Sequence, residues 1–197
     1  RYIASNTGAK VLALELQNDQ NEIAKRLTSR CKLSSKVSHV CGNFITHKWY
    51  NKKFDIIVSW LTLYHISKHE ILLRKCYDLL KPKGFFYVED LISKKELSNK
   101  DLIKFSSEIY AKNLHNYEDY KLYIKNSGFK LVSCKDMSNS WAKFTKKRNK
   151  EYKNLKKRNL RVHGAEIVNN LIKFYSFIDN NFSIKKIGGI RIVAQKI

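Results

Sequence analysis

A single proline and seven glycines are all that 197 residues contain of the types that most often break or loosen a fold. So few breakers exclude a proline-rich linker, a collagen-like repeat or a flexible tether, and leave long uninterrupted elements. The four cysteines, Cys31, Cys41, Cys76 and Cys134, stand far apart with no CxxC pair and no histidine at ligand spacing. That spacing excludes a zinc module and a disulfide framework and favours a reducing compartment, the cytoplasm or an organellar matrix. No run approaches the roughly 18 apolar residues of a membrane span, and nothing resembles a signal peptide. Acids are scarce as well, 17 Asp and Glu against 39 Lys and Arg, for a net charge of +22. Such a surplus points to an anionic partner. Yet 31 of the bases are lysine and only 8 arginine, beside 17 asparagines. Arginine is the better tool for two-pronged phosphate recognition, so part of the surplus reads as compositional drift.

What is present suits one packed core: 43% of the residues are hydrophobic and 12% aromatic, enough for one domain over 1–197. Short apolar runs alternate with helical periodicity, the pattern of a mostly parallel sheet covered by helices. Residues 1–7 read as a helix end closed by Gly8. Val11 to Leu16 and Phe54 to Trp60 read as strands buried on both faces, and Val37 to Cys41 as a shorter one. Helices are predicted over 18–31, with Ile23, Ala24 and Leu27 on one side, and over 69–80. The second stops before Pro82 and Gly84. A strand over 85–91 follows, then helices over 101–111 and 118–126, a strand over 129–134, helices over 141–158 and 165–180, and a closing strand over 190–194. No repeat and no internal boundary is visible.

In an open α/β sheet, ligands bind beyond the carboxyl ends of the strands. Glu15 ends the first strand, where a carboxylate can accept from both hydroxyls of a ribose. Cys41-Gly42-Asn43-Phe44 ends the second, where a polar side chain can meet an adenine amino group. Ser59 to Ile66, SWLTLYHI, ends the third and carries His65 in an aromatic loop. A histidine among apolar residues is as often packing as chemistry, but this one sits where ligands bind.

The succession VLALEL, CGNF, FDIIVSWLTLYHI and LLRKCYDLLKPKGFFYVEDL resembles the motifs of class I S-adenosylmethionine-dependent methyltransferases. The stretch from SWLTLYHI to EDYKLYIKNSGFKLVSCKDMSNSW resembles the phosphoethanolamine N-methyltransferases and the sarcosine and dimethylglycine methyltransferases. The resemblance implies a Rossmann-like sheet, mostly parallel with an antiparallel last strand, and a helical insertion before that strand. It implies S-adenosylmethionine as cofactor, held by Glu15, Leu16, Asn43, Phe44, Ser59 and Trp60. It implies a small amine as methyl acceptor near Tyr64, Asp90 and Tyr110, with His65 assisting deprotonation. A neutral imidazole suits that task, because a protonated amine has no lone pair to offer. Trp60 and Tyr64 add ring faces for a cation. Three departures stand beside the matches. The glycine-rich loop and first strand of such a domain would precede Arg1, so the chain reads as part of a longer polypeptide, as relying on a partner chain, or as a fold that has decayed. Without that strand, those ending at Glu15 and Trp60 lose a shared neighbour. Asn43 stands where an Asp usually contacts the adenine amino group in such domains, and Leu61 where the phosphoethanolamine enzymes carry an Asp after an Arg.

Residues 143–161, KFTKKRNKEYKNLKKRNLR, hold ten Lys or Arg against the one acid Glu151. With Trp141, Phe144, Tyr152 and Leu155 as a thin apolar strip, this helix reads either as a solvated face or as a platform for RNA or another polyanion. The alternative to an enzyme is therefore a catalytically degenerate subunit that binds through its charge.

Overall fold

The computed structural model describes residues 1–197, in the order α1 (Tyr2–Thr7), β1 (Val11–Glu15), α2 (Asn18–Arg30), β2 (Val37–Cys41), β3 (Phe54–Trp60), α3 (His69–Leu79), β4 (Leu80–Ser93), α4 (Asn99–Ile109), α5 (Tyr117–Asn126), β5 (Phe129–Asp136), α6 (Ser138–Asn154), α7 (Lys156–His163), α8 (Ala165–Ser183) and β6 (Ile187–Lys196). A single 3-10 turn, Leu63–His65, follows β3. The chain divides into two compact units, Arg1–Lys52 and Lys53–Ile197.

In the first unit β1 and β2 run parallel, from Val11 opposite Val37 to Glu15 opposite Cys41, with α2 as the crossover. Gly8 closes α1 in the left-handed region at φ 74°, as its place after Thr7 predicts. The buried side of α2 is not the expected one. Asn21 and Thr28 are buried while Ile23 and Leu27 are exposed, because the helix turns positions 21, 24 and 28 toward its strands. Thr28 Oγ1 lies 2.8 Å from His39 Nε2 of β2, which supplies the polar match that face needs.

The second unit is built on a four-stranded sheet in the order β3-β4-β6-β5, with β3 parallel to β4 and β6 antiparallel to both of its neighbours. This antiparallel last strand, reached through the inserted helices α6–α8, is the arrangement the sequence implies. Phe86, Val88, Ile92, Ile190, Ile192 and Ala194 of the two central strands are fully buried, each large side chain contributing about 1.5–3 kcal/mol of apolar burial.

Four expectations change. The strand over 54–60 is half-exposed, with Ile56 and Val58 open, because β3 is an edge strand whose ladder is with β4 alone. β1 is likewise only half-buried, being paired on one side by β2. β4 starts at Leu80 rather than 85, and passes Pro82 by a bulge in which Phe54 faces Leu80 but Ile56 faces Phe85. Only glycine lets that bulge close: a Cβ on Gly84 would lie 2.9 Å from the Lys81 carbonyl oxygen and 3.0 Å from that of Asp55. The helix expected over 141–158 is two, α6 and α7, joined at Leu155.

Candidate functional site

The carboxyl ends of β1 and β2 are tied together by the Gly42 N–H, which donates to the Glu15 carbonyl at 2.9 Å. This sets Glu15 and Asn43 side by side. Glu15 Oε1 accepts the Gln17 N–H at 2.9 Å, a bond that orients the carboxylate and leaves Oε2 for a ligand hydroxyl. Asn43 Oδ1 accepts the Ile45 N–H at 2.8 Å, so one lone pair of that oxygen is taken and the Nδ2 donors remain. Leu16 is exposed beside Glu15, and the Phe44 ring packs 5.5 Å from Trp49. A carboxylate, an amide and two apolar side chains at adjoining strand ends are the donor set a nucleoside calls for.

In the second unit, β3 ends at Ser59 and Trp60, whose ring is half-exposed and 6.2 Å from Tyr87. The chain then turns through Leu61, held at φ 52° by its N–H donating to the Glu89 carbonyl at 2.7 Å. Thr62 Oγ1 donates to the Trp60 carbonyl at 2.9 Å and closes the turn.

His65 is exposed, its ring 3.9 Å from that of Tyr64. Its Nδ1 lies 3.1 Å from the carbonyl oxygen of Tyr110. A carbonyl only accepts, so Nδ1 carries the proton and Nε2 presents its lone pair outward. Tyr110 ends α4 in the left-handed region, φ 55° and ψ 27°, which turns its carbonyl toward His65. The neighbouring loop clamps the same segment. Lys112 N–H and Asn113 N–H both donate to the Tyr64 carbonyl at 2.8 and 3.0 Å, and Asn113 Nδ2 donates to the carbonyls of Ile66 at 2.9 Å and Ser67 at 2.6 Å.

Beneath the loop, Tyr64 is buried with Leu91, Phe105, Ile109, Ile178 and Phe182, and burial pushes its phenol up to about 12. Asp90 is fully buried and accepts the Tyr120 hydroxyl on Oδ2 at 3.0 Å, while Oδ1 has no partner. Loss of water pushes the Asp90 carboxyl up to about 7, partly offset by the Tyr120 hydroxyl and nearby backbone N–H groups. Alongside, the His69 ring stacks on His115 at 4.6 Å and meets Tyr120 edge-on at 5.0 Å. Burial, and then the neighbouring His115, push His69 down to about 4.

The second unit thus brings Trp60, Tyr64, His65, Asp90 and Tyr110 into one layered region. Tyr64 and Asp90 are in its floor rather than its wall, and Tyr110 acts on His65 through its main chain while its ring is 72% exposed. Asn113 was not visible from the sequence, since its contacts are 46 and 47 residues away. No cluster of three or more His, Cys, Asp or Glu side chains is placed to hold a metal. The stretch 143–161 is helical and its bases are exposed, whereas its apolar strip divides: Tyr152 packs 5.2 Å from Tyr175 while Phe144 and Leu155 face solvent.

Residues 1–88 match the family profile described as Methyltransferase domain. The squalene methyltransferase 1 of Botryococcus braunii is 29% identical over 144 residues, 70% of this chain and 38% of that protein. The phosphoethanolamine N-methyltransferase of Plasmodium falciparum is 25% identical over 142 residues, 71% of this chain and 52% of that protein. The chain therefore spans about half or less of the length of these curated relatives. Among solved structures, phosphoethanolamine N-methyltransferase 2 of Haemonchus contortus, in complex with phosphomonomethylethanolamine and S-adenosylhomocysteine, superposes with a TM-score of 0.90 at 17% identity, over 100% of this chain and 45% of that one. The fold is the Rossmann-like one of class I methyltransferases.

Proposed function

We propose that this chain, which has the class I methyltransferase fold, acts as a single methyltransferase domain over 1–197 and transfers a methyl group to the nitrogen of a small amine. The relatives favour S-adenosylmethionine as cofactor, and when bound it supplies a methyl group on a positively charged sulfur. The observation that carries the reading is the bond from His65 Nδ1 to the Tyr110 carbonyl, which leaves Nε2 as an outward base.

The residues fit the cofactor at the end where they can be tested. Glu15, with one carboxylate oxygen uncommitted, would hold the ribose hydroxyls, and Asn43 the adenine edge, with Leu16 and Phe44 against its rings. Ser59 and Trp60 would line the reacting end. His65 Nε2 accepts the ammonium proton of the acceptor, freeing the nitrogen lone pair for attack, and no covalent bond to the protein is needed. Trp60 and the Tyr110 ring offer faces to a cationic acceptor. Asp90 and Tyr64 support the loop from below. Squalene and sterol methyltransferases among the relatives support a second reading, a carbon acceptor.

Calorimetric titration of the full polypeptide with S-adenosylhomocysteine tests the cofactor. Binding is expected, and absence of heat at about millimolar ligand overturns the enzymatic reading. Labelled methyl donor offered with phosphoethanolamine, sarcosine or a sterol then tests the acceptor. Label in the sterol alone overturns the amine.

A further inference from the structure

Helices α6 and α7 carry ten Lys or Arg between Lys143 and Arg161, all exposed. Glu151 is the one acid among them, and its nearest base is Lys147 at 3.8 Å. The inward side of this pair is fixed. Asn149 Nδ2 donates to Asp179 at 2.8 Å and Asn149 Oδ1 accepts from Ser176 at 3.2 Å, both partners on α8. Tyr152 packs on Tyr175 of the same helix, and Asn159 is buried. With that side toward α8, Phe144 and Leu155 fall on one flank, three helical turns apart. They are 65% and 46% exposed.

The flank continues onto α8. Arg148, one turn beyond Phe144, lies over the Tyr175 ring at 5.6 Å, and the exposed Phe174 ring is 5.4 Å from Tyr175. Val162 of α7 and Ile167 of α8 are also open to solvent. The surface is therefore basic and apolar at once. A merely solvated face accounts for the lysines and gives no reason for Phe144, Leu155, Val162 and Ile167. A nucleic acid backbone takes the charges but offers little to aliphatic side chains. A lipid interface takes both: lysines reach anionic headgroups on long stems while apolar side chains enter the acyl boundary. No helix is long and apolar enough to cross a membrane, so contact would be along the surface.

We propose that α6, α7 and the Phe174 edge of α8 form a docking surface for an anionic lipid bilayer, a role that does not depend on the methyl-transfer reading. Co-sedimentation with phosphatidylcholine vesicles carrying about one-third phosphatidylserine tests it. Binding is expected to these and not to pure phosphatidylcholine. Replacing Lys143, Lys147 and Lys150, the exposed bases on the outward side of α6, together by Gln is expected to weaken it about a hundredfold, from roughly fivefold per base near such a surface. Replacing Phe144 and Leu155 together by Ser is expected to weaken it about tenfold. Both sets are exposed, so the fold survives them, as circular dichroism would verify. Replacing the exposed Lys32, Lys36 and Lys48 by Gln serves as the charge-matched control and is expected to change binding much less. The proposal is overturned by equal binding to neutral vesicles, by an equal loss in the control, or by full binding of the Phe144 and Leu155 variant. It is also overturned if polyuridylate binds more tightly than the vesicles, which would mark a nucleic-acid surface.

Discussion

The imidazole of His65 and the main chain of Tyr110 form a pair in which a left-handed residue aims its carbonyl at a ring nitrogen 3.1 Å away. The strain of a non-glycine residue at φ 55° is of order 1 kcal/mol, and here it has a visible use. It fixes which nitrogen of His65 holds the proton.

His65→Gln keeps a donor for the Tyr110 carbonyl but removes the base. Methyl transfer at neutral pH should fall about 10²–10⁴-fold, with the affinity for S-adenosylhomocysteine unchanged by calorimetry. A variant as active as the parent would remove His65 from the chemistry.

Asn113→Ala deletes the two side-chain bonds to Ile66 and Ser67 while the backbone bonds to Tyr64 remain. Unfolding in urea should show a loss of about 1–3 kcal/mol. In nitrogen-detected NMR, His65 should change from one tautomer to a mixture. An unaltered tautomer would mean that the Tyr110 carbonyl suffices alone.

Leu61 sits at φ 52°, where a branched aliphatic residue is disfavoured and Asn is tolerated. Leu61→Asn, at an exposed position, should stabilise the chain by about 0.5–1 kcal/mol, read as a higher urea midpoint with unchanged slope. A lower midpoint would mean that Leu61 packing outweighs its backbone strain.

Two buried groups pull the pH dependence of stability in opposite directions over nearly the same range, so in the parent their effects largely offset and each is read from its own variant. His69 titrates near 4 in the fold against 6.5 for an ordinary imidazole. Its contribution is intact above 6.5 and is lost as pH falls toward 4, because the unfolded chain takes up a proton the folded one refuses. Asp90 runs the other way. It titrates near 7 against an ordinary 3.8, so stability is lost as pH rises between those values. Asp90→Asn should therefore gain stability relative to the parent at about pH 8 and gain little at about pH 4. Equal effects at both would show that Asp90 is ionised in the fold.

Elements with strong local patterns were legible: β2 and β3 have the boundaries that their apolar runs predict, and α3 differs by one residue. Burial was less legible, because Ile56 and Val58 look like core until the pairing of β3 is known. α2 misled for a related reason, its buried positions being the polar Asn21 and Thr28. In the candidate site, Glu15, Asn43 and His65 lie at strand ends, which chain order reveals. Asn113 and the Tyr110 carbonyl act across the fold through bonds whose partners are tens of residues away. No local pattern encodes such a contact, and a main-chain oxygen leaves no signature in residue types at all.

The position of β6 has a consequence for biosynthesis. Residues 187–196 occupy the interior of the four-stranded sheet, between β4 and β5. While the ribosome still holds them, β4 and β5 each expose an open edge and an unfilled central row. Vectorial folding of this unit must therefore wait for its last strand, and the nascent chain passes through an interval in which chaperone capture competes with sheet closure.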